Sequence, residues 1–118
     1  MRGIRGATTV DSDDAGQITQ RTQELITELL KANALKNHDL ISILFSATGD
    51  LSAKYPATAA RESGLDDVAL MGCRELDVKG MVPRCIRVLV HANTEKTRDE
   101  LRHIFLHGAR NLRADLIS

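Results

Sequence analysis

Two hydrophobic periods run along the chain, and the switches between them mark its elements. Residues 2–10, RGIRGATTV, read as a strand bounded by the acidic turn signal Asp11-Ser12-Asp13-Asp14. Asp13 or Asp14 is placed to cap a helix. From about 14 to 33 the period becomes 3.6: Ile18, Leu25, Ile26, Leu29 and Leu30 share one stripe, with Thr22 filling its gap. Residues 40–48, LISILFSAT, read as a buried strand. After a loop, Pro56 opens a short helix over ATAARES, which Gly64 ends. Residues 67–72 form a strand, and 73–83 read as loop or edge strand. Residues 84–92, RCIRVLVHA, are the clearest strand; 94–100 is a polar turn, and 102–107, RHIFLH, is a last strand.

This β-α-β-α-β-β-β order predicts one mixed sheet with a long helix on one face, an α/β sandwich. One helical layer leaves the other face bare. Along 84–92, Ile86, Val88 and Val90 point one way, and Cys85, Arg87, Leu89 and His91 the other. The second set is no solvent face, so it packs on a partner subunit and the chain is expected to be a homo-oligomer.

Composition narrows the classes. The 118 residues fit a single domain over 1–118, and 42% are apolar, enough for a core. Sixteen Lys and Arg cancel sixteen Asp and Glu, which argues against binding nucleic acid by phosphate neutralisation. No apolar run is long enough to span a membrane, and Met1-Arg2-Gly3-Ile4-Arg5 carries no signal-peptide core. Two cysteines, Cys73 and Cys85, do not make a disulfide framework. A soluble cytoplasmic protein is expected. Arginine outnumbers lysine eleven to five, and arginine is the better residue for bidentate recognition of carboxylates.

Arg87 is the most unusual residue, an arginine in the middle of an otherwise apolar strand. It needs a carboxylate or a ligand, unless the strand is an edge in water or the charge is matched by Glu75 or Asp77. Arg5 poses the same question on the first strand, between Gly3 and Gly6, which let backbones approach closely. No spacing of Cys or of His38, His91, His103 and His107 suits a metal, and there is no phosphate loop or nucleophile elbow. No metal and no cofactor are expected. Several arginines, one glutamate and apolar walls suit a small dianionic organic acid.

Five ordered segments carry a resemblance: RGIRGATTV at 2–10, SATGDL at 46–51, YPATAAR at 55–61, RELDVKG with PRCIRVL across 74–89, and RHIFLHGARNLRADL at 102–116. In that order and spacing they resemble the monofunctional chorismate mutases of the trimeric α/β-barrel class. The resemblance implies an α+β fold, a five-stranded mixed sheet with one long helix per subunit, packed as a trimeric pseudo α/β-barrel with sites at the subunit interfaces. It implies conversion of chorismate to prephenate, a [3,3] rearrangement that needs no nucleophile, metal or proton transfer.

By the same resemblance, Arg87 donates to the ether oxygen, Arg5 binds a substrate carboxylate, and Glu75 accepts from the ring hydroxyl. Arg61 and Arg113 match arginines near the mouth. Tyr55, Ala57 and Thr58 match wall positions supplied by a neighbouring subunit, and Leu112 an apolar wall near the C-terminus. Two departures stand out. Phe105 occupies a position that is Tyr in many members, which removes a hydroxyl contact and predicts weaker ground-state binding. Many members have Cys three residues before the glutamate. Here that position is Gly72, so Cys73 is expected to reach the substrate only if the strand is distorted, with a water or backbone group serving otherwise. The second functional reading is a trimeric carboxylate-binding protein resembling the enamine/imine deaminases. An RNA binder is a third, weakened by the zero net charge and the lack of aromatic stacking surface.

Overall fold

The computed structural model describes residues 1–112. Five strands, β1 (Arg2–Thr9), β2 (Leu40–Ala47), β3 (Ala69–Arg74), β4 (Cys85–Ala92) and β5 (Ile104–Phe105), form one sheet in the order β3-β2-β4-β1-β5. The pairs β3/β2 and β1/β5 are parallel, and β4 runs antiparallel to both β1 and β2. The sheet is therefore mixed, as the pattern predicts.

Two helices cover one face. Helix α1 spans Ala15–Ala32, and Asp14 caps it by accepting from Gln17 N–H at 2.9 Å. Its stripe of Ile18, Thr22, Leu25, Ile26 and Leu29 is buried, and Leu30 packs at the margin. Each fully buried Leu or Ile contributes about 1.5–3 kcal/mol. Beneath the stripe lie Ile4, Ile43, Phe45, Val88 and Val90, the inward set of their strands. Helix α2, Pro56–Glu62, lies beside α1, burying Ala59 and Ala60, and Gly64 follows it at φ +107°. Gly6 leaves room for Leu25 of α1: a β-carbon there would meet Val88 at 2.9 Å and Leu25 at 3.2 Å. Gly3 has no such role, since its added carbon would make only an ordinary contact at 3.7 Å.

Three features differ from the sequence pattern. The predicted strand 40–48 is buried on one face only; Leu44 on the other face is exposed. The third strand runs to Arg74 rather than ending at 72. The predicted strand 102–107 shrinks to Ile104–Phe105 because the side chain of Asn33 takes the place of a neighbouring strand at residue 102. Its amide donates to Arg102 O at 2.9 Å and its oxygen accepts from Arg102 N–H at 2.8 Å. His107, at φ +51°, then starts a 3₁₀ turn over His107–Ala109, so it does not share a strand face with His103.

Candidate active site

The open face of the sheet is organised in rungs. One rung crosses all five strands: Cys73 on β3 pairs with Ser46 on β2, Ser46 with Arg87 on β4, Arg87 with Ala7 on β1, and Ala7 with Phe105 on β5. The next rung is Met71, Leu44, Leu89 and Arg5. Since side chains alternate across a sheet, each rung presents its members to the same side. Arg87 thus stands on the central strand, flanked by small Ser46 and Ala7, which leave the space above the sheet open.

A cleft of about 290 Å³ occupies that space, toward the small end for a ligand pocket. Arg5, Glu75 and Arg87 supply its charge, Leu44, Leu89 and Phe105 its apolar walls, and Ser46 and Cys73 part of its floor. Glu75 lies one residue past the end of β3, held in register by its N–H, which donates to Ala47 O at 2.9 Å. Its Oε2 accepts from Ser46 Oγ at 2.8 Å and lies 4.0 Å from Arg87 Nη1. The backbone N–H of Arg5 donates to His103 Nδ1 at 2.9 Å, tying the strand to the segment before β5. Two guanidinium groups face one carboxylate, so the cleft keeps a positive excess that favours an anionic ligand.

Asp77 is engaged by Arg74 at 3.0 Å, which leaves Glu75 as the carboxylate beside Arg87. Below the rung, burial pushes the Cys85 thiol above its ordinary range, against the opposing charge of Arg87, so it is a packing group rather than a nucleophile.

Cys73 corrects one expectation. Strand β3 pairs without interruption from Ala69 to Arg74, and a residue two before Glu75 shares its face. The thiol therefore lines the cleft with no distortion of the strand, and it donates to Phe45 O at 3.3 Å. Gly72 pairs with inward-facing Phe45 and borders a second cleft beside α2.

This second cleft, about 280 Å³, shares Phe45, Ser46 and Cys73 with the first and includes Tyr55 and Ala57 together with Lys54 and Arg74. Tyr55 is exposed, and Thr58 and Arg61 continue along α2, with Arg61 in solvent. None of these four lines the cleft that holds Arg5 and Arg87 within this chain. Leu112 is half-buried and packs near Ala7, Cys85, Ala109 and Phe105; it borders a third hollow that also touches Glu75 and Arg87. Arg113 lies outside the described residues. Sequence reasoning missed Ser46 and Leu44. Their signal was present: Ser42, Leu44 and Ser46 alternate with buried Ile43 and Phe45, but a mostly apolar run reads as buried on both faces.

An α+β chain whose half-covered mixed sheet carries a cationic, apolar-walled cleft defines a binder of small organic anions. The comparisons give the family. A family model for chorismate mutase type I matches residues 1–116. The chain is 44% identical over its whole length to chorismate mutase AroH of Thermus thermophilus, covering 98% of that protein. It is 42% identical to chorismate mutase AroH of Bacillus subtilis, over 98% of this chain and 92% of that one. A solved chorismate mutase from Clostridium thermocellum superposes with a TM-score of 0.92 at 44% identity, over 94% of this chain and 99% of the other. The chain belongs to the type I chorismate mutase family.

Proposed function

We propose that residues 1–118 form one chorismate mutase domain that works as a cytoplasmic homotrimer and converts chorismate to prephenate. Family membership supports the activity, and the deaminase-like reading receives no support from the relatives found. Among the described residues no helix is long and apolar enough to cross a membrane.

The observation that carries the mechanism is the central position of Arg87, with Arg5 and Glu75 in the same cleft. In a [3,3] rearrangement a C–O bond breaks as a C–C bond forms within one molecule. Holding the substrate in its compact conformer removes much of the entropic barrier. Arg5 binds a carboxylate, Glu75 accepts from the ring hydroxyl, the walls of Leu44, Leu89 and Phe105 compress the ring, and Leu112 borders the adjoining hollow beside Glu75 and Arg87. Cys73 adds a polarisable floor. Arg87 then donates to the ether oxygen, where negative charge grows in the transition state.

Tyr55, Ala57, Thr58 and Arg61 do not line this cleft in their own chain, which supports their entering the site of a neighbouring subunit. Arg113 is assigned to the mouth. Met71, exposed on the same rung as the cleft walls Leu44 and Leu89, continues their apolar surface beyond the cleft. The decisive experiment follows the loss of chorismate absorbance in water and in heavy water from pH 6 to 9. The expected kcat is flat, since no proton moves in the rearrangement. A bell-shaped profile with a solvent isotope effect above about two indicates general acid–base chemistry and contradicts this mechanism.

A further inference from the structure

Glu75 and Arg87 have conflicting tasks. Each must be free to meet the substrate, yet opposite charges this close attract, and a guanidinium and a carboxylate readily close into a paired, two-bond contact. Such a latch would occupy the Arg87 donors needed at the ether oxygen. In the structure the latch is open: Arg87 Nη1 and Glu75 Oε2 are 4.0 Å apart, beyond hydrogen-bond range. What holds the carboxylate instead is the hydroxyl of Ser46, which donates to that same Oε2 at 2.8 Å.

Resting on the functional reading above, we propose that Ser46 is a positioning residue for the rearrangement. It pins one oxygen of Glu75, leaves the other for the substrate hydroxyl, and keeps Arg87 unlatched. Its place in the sheet suits the task. Ser46 pairs with Cys73 on one side and Arg87 on the other, so it stands between the strand that leads to Glu75 and the strand that bears the guanidinium. The Ala47 carbonyl holds the Glu75 backbone from the next residue. The hydroxyl has one proton, and it is spent on Oε2. It is neutral, so it fixes the carboxylate without adding a charge beside Arg87.

The test is a double-mutant cycle on the full chain with chorismate, measuring kcat and KM of wild type, Ser46→Ala, Glu75→Gln and the double variant, with mass and melting temperature as controls. Ser46→Ala is expected to lower kcat by about ten-fold, the scale of one hydrogen bond to a charged group, with KM within about three-fold. In the Glu75→Gln background, where no carboxylate can latch, the same change is expected to cost less than about two-fold, the non-additivity of coupled residues. Ser46→Thr keeps the hydroxyl and is expected to return kcat to within about three-fold of wild type. An equal loss in both backgrounds, a loss confined to KM, a Ser46→Ala enzyme as fast as wild type, or a Ser46→Thr enzyme as slow as Ser46→Ala overturns the role of Ser46 alone. A wild-type chain that leaves chorismate unchanged overturns the functional reading, and this inference with it.

Discussion

At the scale of single residues, the site depends on where its charges are placed. Arg87 is the sharpest case. It sits in the middle of the central strand, and its partner carboxylate stays out of direct hydrogen-bond range. Replacing it with Ala is expected to lower kcat by at least about 10²–10³, the scale for one donor to a developing oxyanion. Lys is expected to restore only part of this, because it lacks the planar fork. Single-turnover rates on a variant with unchanged melting temperature check this; near-normal kcat removes Arg87 from the mechanism. Phe105 closes the same rung at the far edge. Phe105→Tyr adds a hydroxyl facing the cleft and is expected to lower KM, by about 1 kcal/mol of binding, with kcat within a few-fold. An unchanged KM shows that the ring edge does not meet the substrate.

At the scale of elements, the long helix and β4 were legible because each has a clean period, and β1 because it ends at a clear turn signal. Asp14 caps where the turn signal ends, and Val88 and Val90 face the core as alternation requires. Among the short elements, α2 was legible from Pro56 and Gly64, but β5 was not. Residues 102–107 carry strand composition, but Asn33, sixty-nine residues earlier, satisfies the Arg102 backbone and leaves only Ile104–Phe105 to pair. No local pattern encodes such a contact. Asp13 is a similar long-range device. Its carboxylate accepts from the N–H of Ala53 and of Ser52, and from the Ser52 hydroxyl, clipping the loop before α1 to the loop before α2.

Those bonds, the Ala53 N–H foremost, hold Asp13 below its ordinary range. A depressed value means that folding favours the ionised form. The contribution is complete above the ordinary value of about 3.9 and is lost as the pH falls through the lower folded value. Asp13→Asn is therefore expected to melt below wild type at pH 6, with the gap closing toward pH 2. Thermal melts across that range measure it, and a constant gap separates Asp13 from the acid response.

At the scale of the whole molecule, the bare sheet face was the most informative expectation. The strand at 84–92 already divided into an inward set and an outward set that no solvent face would carry. The structure leaves Leu44, Leu89 and Met71 exposed there, Met71 at 63%. Positions such as Tyr55 and Arg61 were legible only through family resemblance, because in one chain they do not line the cleft. The assembly that unites them is expected to have three times the 13.0 kDa subunit mass. Light scattering at micromolar concentration checks this, and a monomeric mass removes the neighbour's contribution to the site.

The five-strand rung has a genetic consequence. Cys73, Ser46, Arg87, Ala7 and Phe105 meet only because five separate strands are in step. Deleting one residue upstream within β2 or β4 turns every later side chain in that strand to the opposite face. Ser46 or Arg87 would then point under the helices, and Phe45 or Val88 into the cleft. Substitutions along these strands change the chemistry by degrees, whereas a single-codon deletion exchanges floor for core. The connection between Leu76 and Pro83, outside any strand, is free of that constraint. Length variation among descendants of this gene should therefore collect there and spare the strands.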